Sequence, residues 1–272
     1  MAIFALCAAS GSPWVTTTSV ALALSWPRPV TLVEADPTGG SSILAGYFKG
    51  AVDQPGLIHL AMAHRQGQLA ATLPTLLLPM EGSHAHLLAG IRSHEQAVGV
   101  EGLWGPLLEA LRALAGTGQD VIVDAGRLGL DGSAMPLVLG ADVTVLLTRS
   151  SLPAVSAARS WAATLKAGAA SACGVVVAGV GRPYSVREIS GVLELPAFGE
   201  VAWAPRDALV FSEGAGYSPP GGVARLLGRT GREVFARSAY QRSVLALREV
   251  LQQAAASTTD GLLPIEVQEG VR

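Results

Sequence analysis

The chain opens on an apolar run, Ala2-Ile-Phe-Ala-Leu-Cys-Ala8, that halts at Ser10-Gly-Ser-Pro13 and resumes as a hydroxyl-rich, Ala/Leu-rich segment from Thr16 to Ser25. A short continuous apolar run reads as a buried strand, and the segment after the turn reads as a helix. After the punctuating Trp26-Pro-Arg-Pro29, a second apolar strand follows at Val30–Glu34. Strand, helix, strand over so few residues is a crossover unit, so the two strands are parallel and their sheet needs helices on its faces. The turn between strand and helix would gather backbone N–H groups at the positive end of a helix, a place that suits phosphate.

The same alternation continues. Strands are expected at Thr75–Pro79, Ala85–Ile91, Asp120–Gly126, Ala141–Thr148, Gly174–Ala178 and Leu195–Trp203. Helices are expected at Ser41–Tyr47, Gly56–Arg65, Leu103–Leu114, Met135–Gly140, Pro153–Lys166, just after Pro205, and as one long helix over Arg229–Ala255. This pattern predicts a three-layer α/β/α sandwich with a mostly parallel sheet. With 272 residues, half of them hydrophobic, the chain can bury one large core. A single domain over residues 1–256 and a polar C-terminal tail over 257–272 are expected.

A net charge of −2 gives no overall basic field for nucleic acid or an acidic membrane. Cys7 and Cys173 fall in expected strands without a CxxC or Cys/His cluster and read as small buried hydrophobes. His59, His64, His84 and His86 have no third ligand placed by the sequence, so no structural metal is expected. The N-terminus has no basic leader and no apolar run reaches the ~18 residues of a membrane span; a cytoplasmic location is expected. Lys49 and Lys166 are the only lysines, and neither lies near the first turn.

Acids stand at two strand ends. Glu34-Ala-Asp36-Pro-Thr-Gly-Gly40 closes the second strand, and Val121-Ile-Val-Asp124 runs to an acid before Ala125-Gly126. In parallel α/β sheets ligands sit at the carboxyl ends of the strands. The segment Gly11-Ser-Pro-Trp-Val-Thr-Thr-Thr18, the Glu34–Gly40 segment and Val121–Asp124, in this order and spacing, resemble the deviant P-loop ATPases of the ParA/MinD type over roughly residues 1–215. The patterns of that family are K-G-G-x-G-K-[ST]-[ST], D-x-D-P-x-G and a hydrophobic strand ending in Asp; Trp203-Ala-Pro205-Arg-Asp207 resembles its later Pro-x-Asp segment.

The resemblance implies a site that takes ATP and Mg²⁺. Gly11, Ser12, Pro13, Trp14, Val15, Thr16, Thr17 and Thr18 would form the nucleotide-binding loop and helix start. Thr17 would ligate Mg²⁺, Thr18 would lie beside the α-phosphate, Asp124 would support Mg²⁺ through water, and Asp36 would be the catalytic acid that orients the attacking water. Two departures follow. The family's catalytic lysine falls on Thr16 and its second lysine on Gly11; an alignment shifted by one residue puts them on Val15 and Ser10 instead. Neither restores a cation, and losing a charge-assisted phosphate contact costs ~2–3 kcal/mol in a phosphate-bound state. Arg127, Arg149 or Arg182 could replace it. The family's adenine-reading Asn after Gly174–Ala178 is absent, since Gly179-Val-Gly-Arg182-Pro183 follows.

The expected function is therefore a ParA/MinD-like positioning or partitioning protein with a degenerate nucleotide site, little or no ATP hydrolysis, and a role as a dimerising or partner-docking scaffold. Its expected partners are a second copy and a component of a positioning or secretion machine. Two alternatives are an ATP-dependent switch with a replacement cation, and a localisation or regulatory factor for a Tad-type pilus or secretion system.

Overall fold

The computed structural model describes residues 2–11, 14–115, 118–179 and 183–260. Eight strands form one sheet: β1 (Ile3–Ala8), β2 (Val30–Glu34), β3 (Leu77–Pro79), β4 (Ala85–Leu88), β5 (Asp120–Arg127), β6 (Val143–Arg149), β7 (Ala172–Ala178) and β8 (Ala197–Val201). Their order is β3-β4-β2-β5-β1-β6-β7-β8. All neighbours are parallel except the short edge strand β3, which runs antiparallel to β4. The helices are α1 (Val15–Leu24), α2 (Leu57–Arg65), α3 (Leu69–Thr72), α4 (Gln96–Val100), α5 (Trp104–Ala115), α6 (Met135–Leu139), α7 (Leu152–Gly168), α8 (Val186–Leu193), α9 (Pro205–Ser212), α10 (Gly222–Leu226), α11 (Gly231–Ala236) and α12 (Ala239–Asp260). The expected three-layer α/β/α sandwich is what the chain forms.

Every residue of β1 is buried. Successive side chains on a strand point to opposite faces, and here Ile3, Ala5 and Cys7 enter one core while Phe4, Leu6 and Ala8 enter the other. The first core packs under α2, α5 and α7, and the second under α1, α9 and α12. That two-sided burial is why β1 carries no polar alternation. Cys7 is fully buried, whereas Cys173 on β7 is only partly so.

The amino edge of the sheet is fastened by two buried or half-buried acids. Asp120 accepts from the Ala2 N–H (2.8 Å), Trp26 Nε1 (2.7 Å) and Arg28 Nε (2.5 Å). Asp142 accepts from the Ile3 N–H at 2.7 Å. The carboxyl edge is thereby left as the open end.

Several features depart from the sequence reading. The long helix expected over Arg229–Ala255 is broken: α11 ends at Ala236 and α12 begins at Ala239. Helix α8 was not expected, although Ser185 and Glu188 form a reciprocal capping box at its start. The expected helix Ser41–Tyr47 is a short π-helix over Ile43–Tyr47. The last helix reaches Asp260, so residues 257–260 of the expected tail are helical, and the rest of that tail lies outside the described residues.

Candidate functional site at the carboxyl edge of the sheet

A cavity of about 500 Å³ opens where β1, β2 and β5 end. Its walls include Ser10 and Gly11 after β1, Trp14 to Thr17 at the start of α1, Asp36 and Thr38 after β2, Gly126 and Arg127 at the end of β5, and Phe211 with Ser212 at the end of α9. Three stretches far apart in sequence meet there because β2, β5 and β1 are consecutive in the sheet. Ser12 and Pro13 lie outside the described residues.

The helix start is unusual. Trp14, at the N-cap of α1, has φ +63° and ψ +35°, a left-handed conformation that favours glycine, and offers no side-chain oxygen to the first turn. Its indole instead stacks on Trp203, with ring centroids 4.5 Å apart and planes 29° from parallel. The Thr18 N–H bonds back to the Trp14 carbonyl, so the helix ladder begins there. The N–H groups of Val15, Thr16 and Thr17 are the uncapped donors that every helix start presents.

The threonines take distinct places. The Thr16 side chain lies near the Asp124 carboxyl group and works against the rise in its pKa. Thr16 and Thr17 both line the cavity, whereas Thr18 does not: its side chain is fully buried and Oγ1 has no partner among the described residues. The threonine that meets the strand-end acid is therefore the one expected in the place of the missing lysine, not Thr17.

Asp124 is fully buried. Its Oδ1 accepts the Gly126 N–H at 3.1 Å, and its Oδ2 is buried without a partner among the described residues. Burial pushes its pKa up to about 8, with the charges of Asp36 and Glu34 adding to the rise and the nearby Thr16 side chain and the Gly126 N–H opposing it. A buried carboxylate oxygen with no donor is the kind of group a cation or a metal-bound water satisfies.

Asp36 is placed by two contacts. Its Oδ1 accepts from both the Thr38 N–H (2.9 Å) and the Thr38 hydroxyl (2.8 Å). Its carboxyl group also lies against the Cα of Gly126, where a β-carbon would stand 2.2 Å from Cγ. Gly126 has φ +58°, so glycine serves both the backbone and the close approach.

Glu34, noted in the sequence only as an acid at the sheet edge, turns out to be a buried anchor. Oε2 accepts from the Ser41 hydroxyl (2.6 Å) and the Gly90 N–H (2.9 Å), and Oε1 from the Ile43 N–H (3.0 Å). Burial raises its pKa, and those hydrogen bonds partly offset the rise. It fixes the start of the π-helix and the turn after β4 to the end of β2, which holds the Ser42 and Ile43 wall of the cavity. The donors that a strand-end acid will find across a turn were not visible in the sequence.

Of the three arginines considered as replacement cations, Arg127 lines the cavity, Arg149 does not, and Arg182 lies outside the described residues. Arg127 is the only cationic side chain among the described lining residues.

A loop and helix after the central first strand, with acids ending two neighbouring strands, define a phosphate-loop α/β fold. Solved structures make the comparison specific. The septum site-determining protein MinD of Pyrococcus horikoshii, complexed with Mg-ADP, is similar over 94% of this chain and 98% of its own, with a TM-score of 0.68 and 20% identity. A ParA-family ATPase of Chlorobium tepidum matches with a TM-score of 0.66 and 14% identity, over 92% of this chain and 98% of that one. MinD in the MinC:MinD cell division complex of Aquifex aeolicus is also similar (TM-score 0.62, 14% identity, 93% and 96% coverage). No protein-family profile and no curated protein sequence matches the chain. The chain thus has the fold of MinD and ParA-family ATPases. Among the described residues no helix is long and apolar enough to cross a membrane.

Proposed function

We propose that this protein is a cytoplasmic ParA/MinD-like positioning or partitioning protein whose nucleotide site keeps its form but has lost its lysine. It hydrolyses ATP slowly or not at all, and works as a dimerising or partner-docking scaffold. The observation that carries this is the composition of the cavity: Thr16 near Asp124, Asp36 beside Gly126, and no lysine among the described lining residues.

The residues present fit Mg²⁺. Thr16 would hold the ion with its hydroxyl, and Asp124 would sit behind it, its orphaned Oδ2 gaining a partner through water. In the one-residue-shifted alignment Thr16 is the Mg²⁺ threonine, Thr17 is the neighbour of the α-phosphate, and Trp14 stands at a glycine of the loop. The left-handed φ of Trp14 and the nearness of Thr16 to Asp124 both support that alignment over the first. Bound Mg²⁺ would neutralise phosphate charge. Asp36 would then orient water, but with no lysine to gather charge on the transferring group its contribution to rate is small. The Mg-ADP of the archaeal MinD and the MinC partner of the Aquifex MinD are precedents for ligand and partner.

Turnover by purified protein tests this reading. The expected result is a rate at background with ATP and Mg²⁺, together with self-association by light scattering. A clear ATPase rate abolished by Asp36→Ala refutes the scaffold reading.

A further inference from the structure

We infer that Arg127 supplies the cationic contact to the phosphate end of a Mg²⁺-bound nucleoside di- or triphosphate in this cavity, from the end of β5 instead of from the loop. The inference rests on the reading of the cavity as a nucleotide site.

The pairing of β1 with β5 carries it. Ile3 to Leu6 pair in step with Val121 to Asp124, but Ala8 pairs with Arg127, so β5 holds one extra residue between Asp124 and Arg127. That is a β-bulge, with Gly126 at φ +58°, and bulges re-aim the side chains that follow them. In unbroken register Gly126 would stand opposite Ala8. The bulge puts Arg127 there, at the root of the loop that leads into α1, and the Leu128 N–H donating to the Ala8 carbonyl (2.8 Å) pins it.

Among the described residues the charge of Arg127 is uncommitted. No ion pair to it occurs among the described residues, although Asp36 shares the cavity. Asp36 is already served by Thr38, and Asp124 lies fully buried with its Oδ1 on the Gly126 N–H. The side chain is exposed, so it keeps its hydration and its reach until an anion arrives. Asp36 shares the cavity, and a polyphosphate entering it needs positive charge beyond the N–H groups of α1. A planar guanidinium at the loop root meets phosphate oxygens with a two-pronged fork, which a lysine in the loop would meet as a point charge.

Calorimetric titration of full-length protein with Mg-ADP and Mg-ATP tests the inference, with Arg127→Ala, Arg127→Lys, Thr16→Ala and the surface control Arg159→Ala. Loss of one charge-assisted contact corresponds to weakening by about 10-fold or more. Arg127→Ala is expected to lose at least that, Arg127→Lys to fall between, and Arg159→Ala to match wild type. Thermal melting of Arg127→Ala should coincide with wild type, as an exposed, unpaired side chain implies. If wild type binds, Thr16→Ala weakens binding and Arg127→Ala stays within twofold, the arginine assignment fails while the nucleotide site stands. If wild type takes up neither nucleotide at millimolar concentration, the nucleotide site and the arginine assignment fail together.

Discussion

Gly126→Ala is the sharpest probe of how the site is built. Two penalties add at this position. The backbone stands at φ +58°, and a left-handed conformation costs a residue with a β-carbon roughly 1–2 kcal/mol. The new β-carbon would also lie 2.2 Å from Asp36 Cγ, 2.3 Å from its Oδ2 and 2.7 Å from its Cβ. Asp36 must retreat, giving up the bonds from the Thr38 N–H and hydroxyl, each of them worth about 1 kcal/mol where solvent competes. Together these give about 3–4 kcal/mol, or a fall in the urea midpoint of about 1.5–2 M at a slope near 2 kcal/mol/M. Gly67 supplies the control: it has φ +71° but open space where a β-carbon would go, so Gly67→Ala carries the backbone penalty alone. In an Asp36→Gly background, Gly126→Ala should fall back toward the Gly67→Ala value. Equal costs for Gly126→Ala and Gly67→Ala in the wild-type background would refute the packing of Asp36 on the β5 bulge.

Two other changes follow from the same geometry. Asp124 in the folded protein is pushed up to about 8 from an ordinary 3.8, so between those values the folded state holds a proton the unfolded chain has released. Stability then falls as pH rises from about 4 to 8; in metal-free buffer Asp124→Asn should flatten that decline, leaving the same-signed part due to Glu34, and an unchanged slope would argue against a buried, cation-free Asp124. At position 14 the left-handed backbone and the stack on Trp203 can be separated: both Trp14→Gly and Trp14→Ala lose the stack, but only glycine relieves the backbone, so Trp14→Gly should be more stable than Trp14→Ala by about 1 kcal/mol in chemical denaturation. The reverse order would show that position 14 is not left-handed in solution.

Much of this was legible in the sequence because it rests on local rules. The apolar runs of β1, β2 and β5 gave the strands; Asp36 stands two residues past the end of β2, while β5 runs on past Asp124 to Arg127. The position of the threonines in the loop was less legible: Thr16, Thr17 and Thr18 are chemically alike, and without a lysine or the usual glycines nothing in the sequence fixes which one meets Asp124. That took the bend at Trp14, a residue whose type argues against a left-handed φ. Helices α8 and α11 did have local signals at their starts, Ser185-Val-Arg-Glu188 and Thr230-Gly-Arg-Glu233, both of which form capping boxes, and Ser238, whose hydroxyl accepts the Gln241 N–H, caps the start of α12. Glu34 and Arg127 lay beyond any local rule, since the hydrogen-bond donors of one and the aim of the other depend on strands paired across the sheet.

The position of β1 in the sheet bears on how the chain is made. This strand leaves the ribosome well before its two neighbours, β5 at Asp120–Arg127 and β6 at Val143–Arg149. At roughly 5–20 residues per second, on the order of ten seconds pass before either is available. For that interval a wholly apolar strand has no partner, and the root of the phosphate loop is unformed. The site is thus assembled late, by the arrival of the middle of the chain, and a nascent chain of this topology is a natural client for whatever shields unpaired strands at the tunnel exit.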